Sequence, residues 1–182
     1  MAREVLEQVL RDAALLPLAG LRAAMGEGDP DPVALARGLD RPLPLVLRRL
    51  AVLPELNAGL VVCDRSGSLL FRKPAPGFVI PRYGAACALW PLFAVLSQPG
   101  RIELSPLVQL GRGRAGFACF AVSEVVGTPS YNAAPLVQGT MLLVPRKEVS
   151  DGSGREVGSS CRVCPRAGCP GRREPSVLSD DA

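Results

Sequence analysis

Histidine is absent from this chain. That removes the usual proton shuttle near neutral pH and every zinc site of mixed cysteine and histidine ligation. Acid–base chemistry would fall to carboxylates, lysine, tyrosine or cysteine. No cysteine has a visible base, and the radical-enzyme spacing C-x3-C-x2-C does not occur, so the chain is not expected to be an enzyme. Aromatic residues make up only 4%, which leaves most of the core to aliphatic side chains. Long apolar runs are missing too: residues 84–96 fall short of the roughly 18 that a membrane helix needs and contain Pro91. Ahead of the apolar stretch 13–21 stand Arg3, Glu4, Glu7, Arg11 and Asp12, without the positive bias of a signal peptide. A cytoplasmic protein is expected. In that compartment six cysteines read as free thiols or metal ligands rather than disulfides.

What is present suffices for one domain with a small appendage: 182 residues, 48% of them hydrophobic. Val5 with Val9 and Leu6 with Leu10 repeat at i, i+4, predicting a helix over 2–16. A short helix follows to Met25, then the linker 26–32. Asp31 and Pro32 form a good helix start, as cap and first-turn proline. A further helix over 45–53 is apolar almost all round. A DNA recognition helix shows polar side chains to base edges, so this one is expected to pack against a sheet or a second chain. From residue 58 the texture turns to β. A hairpin over 58–72 turns at 64–67, and the Pro- and Gly-rich loop 73–83 follows. Residues 84–98 read as a buried helix. Strands are expected over 101–110, 116–126 and 139–144, with the loop 128–135 before the last of them, then a flexible polar lead-in over 147–160. The expected class is α+β: an antiparallel sheet with helices on one face, a layout shared by PAS- and GAF-type sensors. The expected division is a helical appendage, 1–56, and a sensor domain, 57–182, carrying a cysteine-rich metal-binding loop within 159–178.

The strongest chemical signal is Cys161, Cys164 and Cys169 in a C-x2-C-x4-C spacing, with Pro165, Gly168 and Pro170 shaping the loop. The fourth ligand of a tetrathiolate would be Cys63, Cys87 or Cys119. Cys63 and Cys119 lie in apolar strands, where buried structural thiols are common. Cys87 follows Gly84-Ala85-Ala86 at a loop-to-helix junction and is the chosen ligand. A [4Fe–4S] cluster and zinc both accept four thiolates; the cluster is expected, with zinc as the alternative. Charge is uneven as well. Residues 65–123 carry Arg65, Arg72, Lys73, Arg82, Arg101, Arg112 and Arg114 against Glu103 alone, which suits either an anionic partner or a solvated basic face. The alternative class, a nucleic-acid-binding metal domain, rests on this basic stretch and the cysteine tail, but aromatics and lysines are scarce.

Four stretches together resemble a known family. They are VALAR (33–37) with VLRRL (46–50), GLVVCDRSGSLLFRKPAPGF (59–78), PRYGAACALWPLF (81–93) and SSCRVCPRAGCPGRREPSVL (159–178). Over roughly 33–178 the chain is similar to the C-terminal domain of short-chain fatty-acyl transcriptional regulators. The resemblance implies a sensor of acyl-coenzyme A or a related anionic metabolite, controlling transcription directly or through a partner. Arg72, Lys73 and Arg82 would meet phosphates; Phe71, Phe78, Tyr83 and Trp90 would line the apolar end. The family's metallopeptidase-like His-Glu-x-x-His motif cannot occur without histidine, the helices of 1–56 are expected to be a remnant of the segment before the sensor, and no helix-turn-helix is expected. The expected macromolecular partners are therefore a second copy or a separate DNA-binding regulator, rather than DNA itself or a membrane.

Overall fold

The computed structural model describes residues 2–26, 28–111, 113–128, 130–151 and 153–178. Glu27 of the linker, Arg112 of the basic stretch and the last four residues lie outside the described residues.

Four helices open the chain: α1 (Ala2–Leu15), α2 (Leu18–Met25), α3 (Pro32–Gly38) and α4 (Leu43–Ala51). The α3 start follows its sequence signal. The Asp31 carboxylate accepts from the N–H groups of Val33 (2.9 Å) and Ala34 (3.1 Å), and Pro32 takes the first turn, where an N–H has no helical partner. Along α4, Leu45, Val46, Leu47 and Leu50 are all buried. One side of the helix meets the sheet and another meets α1, α2 and α3, which is why it is apolar nearly all round. Its two arginines also face inward. Arg48 pairs with buried Asp12 at 2.7 Å and with Glu124 at 3.6 Å, and Arg49 donates to the Leu16 carbonyl at 2.8 Å. Neither is free to read DNA.

Six strands follow: β1 (Gly59–Asp64), β2 (Leu69–Lys73), β3 (Ile102–Leu110), β4 (Arg114–Val126), β5 (Leu136–Pro145) and β6 (Arg155–Val157). They form one sheet in the order β2-β1-β5-β4-β3-β6. All pairs are antiparallel except β3–β6, so the sheet is mixed rather than purely antiparallel. The expected lead-in contains β6 because Gly154 lets the chain come close. A Cβ there would sit 3.0 Å from Val108 and from Val149. Val157 is then fully buried, Arg155 reaches Glu103 at 2.7 Å, and Arg114 reaches Glu156 at 2.9 Å.

Both faces of the sheet are covered, which corrects the expectation of helices on one face. Leu60, Phe120, Val122, Leu142 and Val144 point into a core shared with Leu16 and with α2, α3 and α4. Their neighbours Val61, Phe117, Cys119, Ala121, Met141 and Leu143 point into a second core with Phe78, Trp90, Leu92 and Val95. Strand alternation delivers apolar side chains to each. The long helix expected over 84–98 is reduced to α5 (Pro91–Ala94), with a 3-10 turn over Val95–Ser97. Gly84 sits at φ +75°, and Trp90, directly before Pro91, is extended at ψ 135°. A residue before proline is sterically barred from most of the helical region.

Candidate functional site

The irregular run 84–90 lies against the C-terminal segment, and backbone bonds tie the two together. The Cys87 N–H donates to the Ser159 carbonyl at 2.9 Å, and the Trp90 indole N–H donates to the Gly158 carbonyl at 2.8 Å. Gly158 in turn donates its N–H to Cys87 Sγ at 3.4 Å. Glycine is required at 158 for space: a Cβ would stand 2.9 Å from Cys164 Sγ. Cys161–Val163 forms a 3-10 turn, which the Cys164 N–H closes onto the Cys161 carbonyl at 3.3 Å. Arg172 holds the loop from inside. Its guanidinium donates to the carbonyls of Cys161 (3.4 Å), Cys164 (3.4 Å) and Arg166. Arg173 donates to the Ala86 carbonyl, closing the tail onto the Cys87 run.

Cys87, Cys161, Cys164 and Cys169 line one pocket, with Glu156, Arg166 and Arg172 among its other walls. Four sequence-assigned thiols from two distant segments are thus brought together. A water-sized body has about 10 Å³ of room there, within an empty space of about 300 Å³ that opens to solvent. Among the described residues, no three cysteine, aspartate or glutamate side chains are arranged to hold a single metal ion. All six cysteines are free thiols.

The thiols differ in character. Burial pushes Cys63 up to about 12 and Cys119 higher still. Cys87 is raised by burial as well, opposed by the N–H of Gly158 and raised again by nearby Cys161 and Cys164. Cys169 alone of the six is only half-buried. The thiolate is the reacting form. In metal-stripped protein, iodoacetamide should therefore label Cys169 first and Cys63 and Cys119 only after denaturation, read by peptide mass mapping over time. Labelling of Cys63 at the Cys169 rate would contradict the burial described.

The residues assigned to the ligand are not gathered. Phe71 packs on the helix-side core, while Phe78 and Trp90 lie in the opposite one, their rings 5.2 Å apart. Lys73 donates to the Ala58 carbonyl. Arg72 and Arg82 are exposed, and Tyr83 is 90% exposed. None of the seven lines the cysteine pocket or the depression beside it. That depression, about 450 Å³, lies between the β3–β4 turn and the cysteine loop, and Arg114, Glu156 and Arg166 stand in its walls. Arg114 and Arg166 were visible in the sequence as charges, but their meeting depends on β6, which has no readable pattern.

Comparison with known proteins bears on both segments. The profile of the short-chain fatty acyl coenzyme A regulator family, C-terminal region, matches residues 56–180. A propionyl-CoA carboxylase regulator from Cereibacter sphaeroides is 28% identical over 197 aligned positions, covering 97% of this chain and 42% of that protein. The HTH-type transcriptional regulator RamB of Mycobacterium tuberculosis is 28% identical over 130 positions, covering 63% of this chain and 27% of its own length. The chain thus spans less than half the length of these curated relatives. A solved Mycobacterium tuberculosis transcriptional regulator shares the fold, with a TM-score of 0.74 at 21% identity, covering 94% of this chain and 56% of that one.

Proposed function

The chain belongs to the short-chain fatty acyl coenzyme A regulator family, and from that premise we propose that it is a sensing domain binding a short-chain acyl-coenzyme A, with a [4Fe–4S] cluster held by Cys87, Cys161, Cys164 and Cys169. The family is regulatory, and this role is control of transcription through a DNA-binding partner or segment. The observation that carries the metal half is the convergence of four thiols from two distant segments on one pocket. Zinc and a [4Fe–4S] cluster both accept four thiolates; the cluster is the reading proposed, with zinc as its alternative. A cluster spreads four thiolates over the corners of a cage. Its thiolates make it anionic, and the Gly158 N–H and the Arg172 guanidinium stand ready to offset that charge. When bound, the cluster supplies a structural clasp sensitive to oxygen and iron supply.

The test is direct. Protein purified without oxygen should show a broad visible absorption band, with iron and acid-labile sulfide in equal amounts. Stoichiometric zinc in colourless protein would replace the cluster by the zinc alternative. Calorimetric titration of the same metal-loaded sample with acetyl-, propionyl- and longer-chain thioesters should give saturable binding. Absence of heat across the whole series would defeat the sensing half, whatever the metal.

A further inference from the structure

We infer that the depression beside the cysteine pocket receives the phosphate-bearing nucleotide end of the thioester, an assignment that rests on the acyl-coenzyme A reading above. Its size, about 450 Å³, is that of a small-molecule site. Two guanidiniums reach it from separate parts of the chain, Arg114 at the start of β4 and Arg166 on the cysteine loop. Arg114 donates through one NH1 group to the Glu156 carboxylate at 2.9 Å. Arg166 donates through one NH1 group to the Glu156 backbone carbonyl at 2.9 Å. A guanidinium carries five N–H donors in a planar fork, so each retains donors suited to phosphate oxygens.

Two glycines of the β3–β4 turn, Gly111 and Gly113, stand in one wall. A Cβ at Gly111 or at Gly113 would meet nothing within 4 Å, and neither residue adopts a left-handed φ. Neither packing nor backbone conformation calls for glycine at these positions. Their effect is to leave the main chain at 111 and 113 uncovered by a Cβ, so that a phosphate can come close to it there. Glu156 is the opposing element: its carboxylate holds Arg114 and its backbone carbonyl holds Arg166.

Glu156 and Arg166 also line the cysteine pocket. An occupant of the depression therefore touches the loop that carries three of the four thiols. Ligand binding and cluster occupancy share a wall.

The experiment is calorimetry on metal-loaded protein with propionyl-coenzyme A, 3′-dephospho-coenzyme A, ADP and inorganic phosphate as probes. Gly113→Trp and Ala167→Trp fill the depression from opposite sides and should each weaken propionyl-coenzyme A by about tenfold or more. Glu156→Gln removes the repelling carboxylate, frees Arg114 and should tighten binding by several-fold. Arg101→Ala, at the far end of β3, should leave affinity unchanged. Iron content and far-UV circular dichroism, measured on every variant, confirm that each is folded and loaded. Wild-type affinity in both tryptophan variants, with metal and fold intact, overturns the assignment. So does binding of inorganic phosphate as tight as that of the thioester, since the depression would then be a general phosphate site, whereas ADP should bind and compete with the thioester. A wild-type protein that binds no thioester at all defeats the sensing function itself, a result distinct from either of these.

Discussion

Cys87→Ser should abolish the visible chromophore and most of the bound iron, while Cys63→Ser and Cys119→Ser leave both in place. Cys87 is the only one of the three candidates that lines the pocket with the tail thiols. Cys63 and Cys119 are wholly buried in the second core. The effect should extend beyond the metal. The tail between Ser159 and Leu178 buries little apolar surface of its own, chiefly at Cys161 and Cys164. Its remaining hold on the domain consists of single backbone and guanidinium hydrogen bonds, each worth roughly 0.5–3 kcal/mol net. Without a shared metal the tail should open, and trypsin should cut at Arg162, Arg166, Arg172 and Arg173 while the sheet remains folded. Timed digestion with mass spectrometry reads this. Should Cys87→Ser keep its iron while one of the other two variants loses it, the fourth ligand has been assigned wrongly. Retention by all three would place the fourth ligand outside this chain's cysteines.

Trp90→Ala should be the most damaging single change in the core. Trp90 is fully buried, packed on Phe78 at 5.2 Å and stacked on Phe93 at 6.2 Å. Truncating a buried tryptophan costs about 3–5 kcal/mol through lost transfer energy and the cavity left behind. Trp90→Phe keeps part of the ring volume but removes the indole bond to Gly158. It should cost less, about 1–3 kcal/mol, yet still accelerate loss of the cluster in air. Urea titrations followed by circular dichroism measure the first quantity, and decay of the visible band measures the second. A Trp90→Ala cost below about 1 kcal/mol would mean the indole is not packed as described. Because Trp90 is the only tryptophan, its fluorescence in the wild-type protein reports on this contact alone.

Sequence pattern is informative where an element's cause is local, and misleading where a distant segment decides it. The i, i+4 repeats of α1, the Asp31–Pro32 start of α3 and the β1–β2 hairpin about its 64–67 turn have local causes, so they are readable, although Leu6, Val9 and Leu10 of α1 stay exposed. The apolar run over 84–96 predicts a buried helix over 84–98. Yet the Cys87 N–H is spent on Ser159, a partner 72 residues away that no local pattern reveals. β6 is three residues long, too short for any period to register. The covering of both faces did have a signature, since the run over 117–122 in β4 is almost continuously apolar, as strands buried on two sides are. The spacing of the three tail cysteines and the loop position of Cys87 anticipate their meeting in one pocket, but the accessibility expected of Cys87 does not hold, since its side chain is buried. The aromatic and basic residues assigned to the ligand were judged by chemical type alone. In a chain with so few aromatics, Phe78 and Trp90 are consumed by the core.

The two borders of the sheet have a bearing on self-association. An unpaired strand border invites another chain to add a strand, and proteins blunt it with short strands, charge and proline. At one border, β2 is five residues long, ends in Arg72 and Lys73, and runs straight into Pro74. At the other, β6 offers three residues, and the Arg166 guanidinium already occupies the Glu156 carbonyl. Ribbon-to-ribbon growth is discouraged at both ends. A like or unlike chain that joins this molecule must do so through side chains on its outer surfaces, so such a contact can be broken by point substitutions without disturbing the strand ladder.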